Sequence, residues 1–226
     1  KFAEQELGGA FVGFDGLVYE LFDDEVHITE RAGPWQRVIA GVDEGYTNPA
    51  VILVVGLDND DRAHVLAEYY ERRVLQADFV AQAGKMQREY GVGMFYADPS
   101  AAGLIADMRS TGLSVQTAKN DVLNGIRHVQ ARLAVQGDGR PRLTIDPECA
   151  SVRVEMLSYV WRERSDGTRV DQPEKANDHA MDALRYALYS AGIAPPAPAR
   201  SSRPRAAVPP APRVGMHQRP KQPGIQ

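Results

Sequence analysis

Three features that mark other protein classes are scarce or missing in this sequence. Cys149 is its single cysteine, so no internal disulfide can form, and a reducing compartment is favoured. No apolar run approaches the roughly 20 residues that a membrane-spanning helix needs. Neither common Gly-rich phosphate loop, G-x-G-x-x-G or G-x-x-x-x-G-K-[ST], occurs in the chain. These absences argue against a disulfide framework, a membrane span and a dinucleotide-binding fold.

Acidic residues are missing from the end of the sequence. Residues 195–226 contain six basic residues, no acid and nine of the chain's fifteen prolines. A segment of this composition cannot bury a core, so we expect a disordered or extended Pro/Arg-rich tail. The net charge of −4 therefore combines this basic tail with a body of 20 basic and 30 acidic residues, a net of −10. Such a body argues mildly against a large phosphate-binding surface, although bound metals can invert the local field.

The rest of the chain suits one sizeable domain with appendages. It has 226 residues, of which 43% are hydrophobic. It begins at Lys1 without an initiator methionine, and we expect a fragment of a longer polypeptide. Residues 1–36 carry scattered apolar side chains among glycines and acids, and are predicted to be an irregular connecting segment. Residues 37–194 are predicted to form the domain.

Apolar runs and turn signals predict the elements of this domain. Three sequential strands, separated by turn-rich segments, indicate an antiparallel meander whose first two strands are buried on both faces. Strands and helices then alternate, which predicts an α/β domain with a mixed central sheet, an antiparallel meander plus parallel strands, flanked by helices. The predicted strands are 38–43, 50–57, 63–70, 92–98, 113–117 and 142–145, with a hairpin at 159–170; the predicted helices are 76–90, 101–110, 122–135, 149–157 and one that starts after Asn177 or Asp178.

Three aspartates of this pattern could act together. Asp43 and Asp98 each follow an apolar strand, and sites in open α/β sheets form beyond the carboxyl ends of strands. If the first and fourth strands are neighbours, these side chains converge, and Asp182 on the last helix can supply a third carboxylate. Hard cations such as Mg²⁺ or Mn²⁺ prefer such oxygen ligands, and two of them about 4 Å apart can clamp a phosphodiester and activate a water.

Structural alternatives exist for each of these residues. Asp43 can be a turn residue, Asp98 can cap the helix that begins near Ala101, and Asp178 can cap the last helix. Asp182 is harder to explain in this way, because Asp178 lies four residues before it on the same face and like charges repel there. His179 beside them is either a satisfied histidine or a ligand.

Three motifs together resemble the nuclease domain of the large terminase subunit of tailed bacteriophages. They are Val42-Asp43-Glu44-Gly45, Ala97-Asp98-Pro99-Ser100, and the run from Asn177 through Asp182 to Tyr186. The resemblance extends from about Gly8 to Gly192, and includes Phe14 to Tyr19 as the junction that follows the family's ATPase domain. It implies a ribonuclease H-like fold and a metal-dependent endonuclease that cuts concatemeric double-stranded viral DNA. Glu44 is a departure that adds a carboxylate beside the site.

The resemblance also implies roles for individual residues. Asp43 would bridge two Mg²⁺ or Mn²⁺ ions, and Asp98 and Asp182 would each hold one of them. Asp178 and His179 are further candidate ligands near the metals. Candidate DNA contacts are Lys175, Arg169 in the 159–170 hairpin, and Arg185.

The same resemblance implies the partners and the location. The partners would be double-stranded DNA, an upstream ATPase domain of the same polypeptide, the portal protein and the small terminase subunit, with no membrane, in the host cytoplasm. Two other interpretations stay open. One is an actin-like nucleotide-binding domain, because Asp43-Glu44-Gly45-Tyr46-Thr47 resembles its first phosphate motif. The other is a non-catalytic docking domain of a packaging complex.

Overall fold

The computed structural model describes residues 16–192. The predicted tail at 195–226 and the first part of the connecting segment lie outside these residues. The described helices are α1 (Asp24–His27), α2 (Gln76–Tyr90), α3 (Ala102–Ser110), α4 (Val122–Leu133), α5 (Ala150–Ser158) and α6 (His179–Ser190). The strands are β1 (Arg37–Asp43), β2 (Ala50–Leu57), β3 (Ala63–Glu71), β4 (Met94–Ala97), β5 (Val115–Thr117), β6 (Leu143–Ile145), β7 (Trp161–Glu163) and β8 (Arg169–Pro173).

A six-stranded mixed sheet organises the domain, as the sequence predicts. Its strand order is β5-β4-β1-β2-β3-β6, and β7 and β8 form a separate hairpin. Strands β1, β2 and β3 pair antiparallel, whereas β4 pairs with β1, β5 with β4 and β6 with β3 in parallel. The carboxyl ends of β5, β4, β1, β3 and β6 therefore lie at the same edge of the sheet.

The sheet is buried on both faces, which explains the nearly continuous apolar character of β2. Val51, Leu53 and Val55 point into a core shared with α4, α5 and α6. The intervening Ile52 and Val54 point into a second core, shared with α2 and α3. This alternation follows from the two-residue period of a strand. None of the helices within residues 16–192 is both long and apolar enough to cross a bilayer.

The segment before β1 packs on the first of these cores. Val18 and Tyr19 are each 1% exposed, and the amide of Val18 donates to the carbonyl of Tyr159 at 2.8 Å. Arg153 of α5 forms an ion pair with Asp24 of α1 at 2.5 Å. Residues 17–28 are thus held against α5 and the start of β7.

Candidate active site

The first two predicted acids lie at the ends of neighbouring strands. Val42 of β1 pairs with Ala97 of β4 in parallel register, so Asp43, the last residue of β1, lies beside Asp98, the residue that follows β4. The pleat then fixes their direction. Asp98 lies two residues after Tyr96, which points into the core that contains α6. The two aspartates therefore meet at one sheet edge, on the α6 side, as the strand-end argument expects.

Helix α6 brings the third acid to the same place because it packs very close to β1. A Cβ atom added to Gly41 would lie 1.8 Å from the carbonyl oxygen of Ala183, so only glycine allows this approach. Asp182 immediately precedes Ala183. An apolar stripe holds the helix there, since Met181, Leu184 and Leu188 are at most 1% exposed.

The N-terminus of α6 is capped by a side chain from another helix. Asp178 is the N-cap residue, as predicted, but its side chain makes no capping hydrogen bond. Instead Oε2 of Glu155 on α5 accepts from the amides of Ala180 at 2.7 Å and Met181 at 3.2 Å. Oε1 of the same carboxylate accepts from the Tyr70 hydroxyl at 2.7 Å. Glu155 is 2% exposed, so this buried carboxylate satisfies the helix amides that would otherwise lack partners.

Asp43 is the most buried of the three acids. It is 8% exposed, and its Oδ2 lies 2.9 Å from Nδ1 of His179. Burial raises the pKa of Asp43 to about 6, the hydrogen bond with His179 opposes the rise, and the negative charges of Asp182 and Asp98 add to it. The same hydrogen bond raises the pKa of His179. A cation beside Asp43 would favour its ionised form.

Asp98 is held by three donors. Its Oδ1 accepts from the amide and the hydroxyl of Ser100 at 2.7 and 2.8 Å, and its Oδ2 accepts from the Tyr186 hydroxyl at 2.5 Å. Although burial acts in the opposite direction, the bonds from Tyr186 and Ser100 keep the pKa of Asp98 below its usual value. The alternative in which the Asp98 side chain caps α3 does not hold, because the N-cap of α3 is Ala101 and the Asp98 side chain binds Ser100 and Tyr186.

Asp182 is held by Arg185 on the same helix. Nε and Nη2 of Arg185 donate to Oδ1 of Asp182 at 3.3 and 2.9 Å, and Nη1 donates to Oδ1 of Asn120 at 3.2 Å. The Asp182 side chain remains 24% exposed. Within residues 16–192 its Oδ2 accepts no hydrogen bond, so one oxygen remains available beside the arginine.

A cleft of about 500 Å³ opens beside these acids. Asp98, Asp178 and Asp182 line it together with the exposed Lys175. The start of α4 and residues 170–173 of β8 form its other walls. Burial, and then the charge of Asp182, raise the pKa of Asp178. Glu44 is exposed and lines a different cavity of about 390 Å³, beside α2.

Two of the three candidate DNA contacts, Arg169 and Arg185, are engaged by other side chains of the domain. Arg169 pairs with Glu20 at 3.4 Å and lies over the ring of Trp161, with 5.4 Å from Cζ to the ring centroid. Arg185 is 1% exposed and faces Asp182 and Asn120. Arg185 also lines the cleft, so its assignment as a DNA contact stays a prediction. Lys175 alone of the three is an exposed cation on the cleft.

The donor chemistry fits hard divalent cations. An ionised carboxylate has about four lone-pair positions, and each of the three aspartates has unused ones. In their present orientation, however, no three His, Cys, Asp or Glu side chains of residues 16–192 are gathered around one point that could hold an ion. Each carboxylate is turned toward a protein donor, which reduces the repulsion among three neighbouring negative charges. A bound cation would require their free oxygens to turn toward each other.

The sequence argument assigns no individual role to three important residues, Glu155, Tyr186 and Gly125, although Tyr186 lies in the third motif. Glu155 and Gly125 each carry a sequence signal. Glu155 lies between the apolar Val152 and Met156 on one face of a short helix, and a charged residue at a core position needs a partner. Gly125 is a glycine inside an amphipathic helix, which often marks a close approach.

Comparisons with known proteins agree with this fold. No family model matches the chain. It is 27% identical over 203 residues to the terminase large subunit of Escherichia phage T5, which covers 84% of this chain and 45% of that protein. The large terminase of the thermophilic bacteriophage D6E in complex with ADP has a TM-score of 0.69 and 29% identity, over 79% of this chain and 45% of that chain.

A third match covers most of an isolated nuclease domain. The large terminase nuclease domain of bacteriophage SPP1 with bound Mn has a TM-score of 0.55 and 16% identity, over 69% of this chain and 86% of that chain. At this identity the match shows the fold alone. The fold of the present chain is thus ribonuclease H-like, with a mixed sheet flanked by helices.

Among proteins with a ribonuclease H-like fold, the chain is related in sequence to the large terminase subunit, and it has the fold of that subunit's nuclease domain. The resemblance inferred from the three motifs is therefore confirmed. The chain spans less than half the length of the T5 and D6E proteins. The activity and partners of those whole proteins are consequently a matter of proposal for this chain.

Proposed function

We propose that this domain is a divalent-metal-dependent endonuclease that hydrolyses phosphodiester bonds of double-stranded DNA. Its substrate would be concatemeric viral DNA, cut as part of DNA packaging. The observation that carries the proposal is the placement of Asp43, Asp98 and Asp182 at one sheet edge, next to a cleft lined by Lys175. The fold of terminase nuclease domains supports it.

We assign Asp43, Asp98 and Asp182 as ligands of two Mg²⁺ or Mn²⁺ ions. Asp43 has a single side-chain partner within residues 16–192, so its Oδ1 and part of Oδ2 are free to be shared between two ions. Asp98 has three donors and keeps about one lone-pair position, and Asp182 keeps Oδ2, which suits one ion each. When bound, such a pair of ions activates a water and stabilises the negative charge that develops on the phosphate.

The chain's own groups would position the substrate. Lys175 is placed to attract a DNA phosphate into the cleft, and it is the DNA contact we retain. His179 uses Nδ1 to hold Oδ2 of Asp43, so any direct role in ligation would need its Nε2. Asp178 lines the cleft and stays a candidate outer ligand.

The wider assignments are also proposals. Residues 1–36 would connect to an ATPase domain, 37–194 would be the nuclease domain, and 195–226 would be a basic tail. The portal protein and the small terminase subunit would be partners in the host cytoplasm. An actin-like site is the weaker alternative, because both the sequence relative and the structural relatives are terminases.

A plasmid assay tests the proposed activity. The 226-residue chain is incubated with supercoiled plasmid and millimolar Mn²⁺ or Mg²⁺, and nicked and linear products are measured on a gel. Asp43→Asn and Asp182→Asn should each reduce the rate by at least about 100-fold, a loss typical of removing a group that stabilises transition-state charge. EDTA should stop the reaction.

Asp146→Asn is the matched control. Asp146 follows β6 at the same edge of the sheet, but lies beyond β3 and outside the cleft. It should keep nearly full activity. Full activity in Asp43→Asn, with far-UV circular dichroism that matches the wild type, would refute the assignment.

A further inference from the structure

Two consecutive residues of α6 each donate a hydrogen bond to a different carboxylate of the site. Arg185 donates to Asp182, and Tyr186 donates to Asp98. Both side chains are 1% exposed and lie in the wall of the cleft. The polar ends of both side chains are directed at the acids.

Arg185 is fixed along its whole length. A Cβ atom added to Gly125 of α4 would lie 2.4 Å from Cγ and 2.5 Å from Cδ of Arg185, so the aliphatic stem crosses α4 at the one position without a side chain. The guanidinium is then held by Oδ1 of Asn120 at 3.2 Å and by Oδ1 of Asp182. Both bonds to Asp182 end on the same oxygen, which leaves Oδ2 for another partner.

Tyr186 shares this arrangement. The Cζ atom of Arg185 lies 4.6 Å from the centroid of the Tyr186 ring, so the two side chains stack on each other. The Tyr186 hydroxyl reaches Oδ2 of Asp98 at 2.5 Å, across from α6 to the end of β4. A change in one of these side chains is thus expected to move the other.

We propose that Arg185 and Tyr186 are positioning residues, which hold one oxygen of Asp182 and one of Asp98 so that the remaining lone pairs can bind a divalent cation. Gly125 contributes to this positioning, because its lack of a side chain leaves the space that the Arg185 side chain occupies. This inference rests on the proposed metal-dependent function. Hydrogen-bond partners of metal ligands typically change metal affinity 10- to 100-fold when they are removed.

Calorimetric titration of the full chain with Mn²⁺ tests the role of Tyr186 directly. Tyr186→Phe removes only the hydroxyl, and should raise the dissociation constant for Mn²⁺ by about 10-fold, the lower end of the range for such partners. Plasmid nicking by this variant should recover at high Mn²⁺, because the ligands themselves are intact. Tyr189→Phe is the matched control: Tyr189 is on the same helix and its ring contacts His128, so Mn²⁺ affinity should not change.

A pair of glycine variants tests the positioning role of Arg185. Gly125→Ala places a methyl group against the stem of Arg185, and should weaken Mn²⁺ binding without touching any ligand. Gly103→Ala makes the same change in α3, where nothing lies within 4 Å of the new atom, and should leave binding unchanged. This second pair keeps the proposal testable should Tyr186→Phe fold poorly.

The outcomes separate the two proposals. Lower thermal stability with unchanged Mn²⁺ affinity in both Tyr186→Phe and Gly125→Ala would show a purely structural role and overturn the inference alone. Wild-type protein that neither binds Mn²⁺ nor nicks plasmid would overturn the proposed function and this inference with it. Weaker binding in both variants, with both controls unchanged, would establish the positioning role.

Discussion

Replacing Glu155 should destabilise the domain more than most single substitutions do. Its carboxylate accepts hydrogen bonds from the amides of Ala180 and Met181 and from the Tyr70 hydroxyl, at 2.7, 3.2 and 2.7 Å. It is 2% exposed, so water cannot simply replace it. Glu155→Ala leaves two helix amides and one hydroxyl without their acceptor in a buried place.

The size of the effect follows from those three donors. Each buried group left without a partner costs about 1–3 kcal/mol of stability. Burial raises the pKa of Glu155, which means that its charge is costly to bury, and removing that charge offsets part of the loss. We therefore expect Glu155→Ala to lower the free energy of unfolding by about 3–5 kcal/mol. Glu155→Gln keeps an oxygen for the two amides and should cost about 1 kcal/mol, mainly through the lost charge at the helix N-terminus.

Urea unfolding followed by circular dichroism at pH 7 measures both changes. Tyr70→Phe is the companion variant, since it removes one donor and leaves the helix amides satisfied; a loss of about 1 kcal/mol is expected. The reasoning would be refuted by a loss below about 1 kcal/mol in Glu155→Ala. It would also be refuted by Glu155→Gln being as unstable as Glu155→Ala.

Two further predictions concern close packing and pH. Gly41→Ala should cost about 3 kcal/mol or more, because its Cβ would meet the backbone of Ala183 at 1.8 Å, whereas Gly93→Ala, with its nearest atom at 3.7 Å, should change the free energy of unfolding by under about 1 kcal/mol. Equal effects in urea unfolding would contradict the close contact. Burial lowers the pKa of His64 to about 4, whereas its pKa in the unfolded chain is about 6.5. Between these two pH values only the unfolded chain binds the proton, so a fall in pH favours unfolding. Stability should fall over that interval by at most about 3 kcal/mol from this residue, and His64→Gln should flatten the pH dependence; an unchanged slope would contradict it.

Local patterns are sufficient to predict the mixed sheet and most of the elements, but not the short helix α1 within the segment predicted to be irregular. Strands β1 and β2 are buried on both faces and read as apolar runs, and β1 ends at Asp43 as predicted. The meeting of Asp43 and Asp98 follows from one further assumption, that β1 and β4 are parallel neighbours, and the register of Val42 with Ala97 satisfies it. The meeting of two strand ends can be inferred in this way because it depends only on the direction of the strands and on their order in the sheet.

The partners of the acids could not be predicted in the same way. Helical spacing places Arg185 on the same stripe as Asp178 and Asp182, which suggests a solvent-facing side chain. It is buried because α4 packs on that side of α6, and Gly125 leaves the space. The hydrogen bonds from the Ala180 amide to Glu155 and from the Tyr186 hydroxyl to Asp98 join residues 25 and 88 positions apart. No local pattern encodes such pairs, because they depend on how whole helices pack.

A crystal structure of the full chain soaked with Mn²⁺, with anomalous diffraction data, tests the central claim most directly. We predict two anomalous peaks about 4 Å apart, with Asp43 bound to both and with Asp98 and Asp182 each bound to one. Peaks at other carboxylates, and none within coordination distance of these three aspartates, would contradict the account.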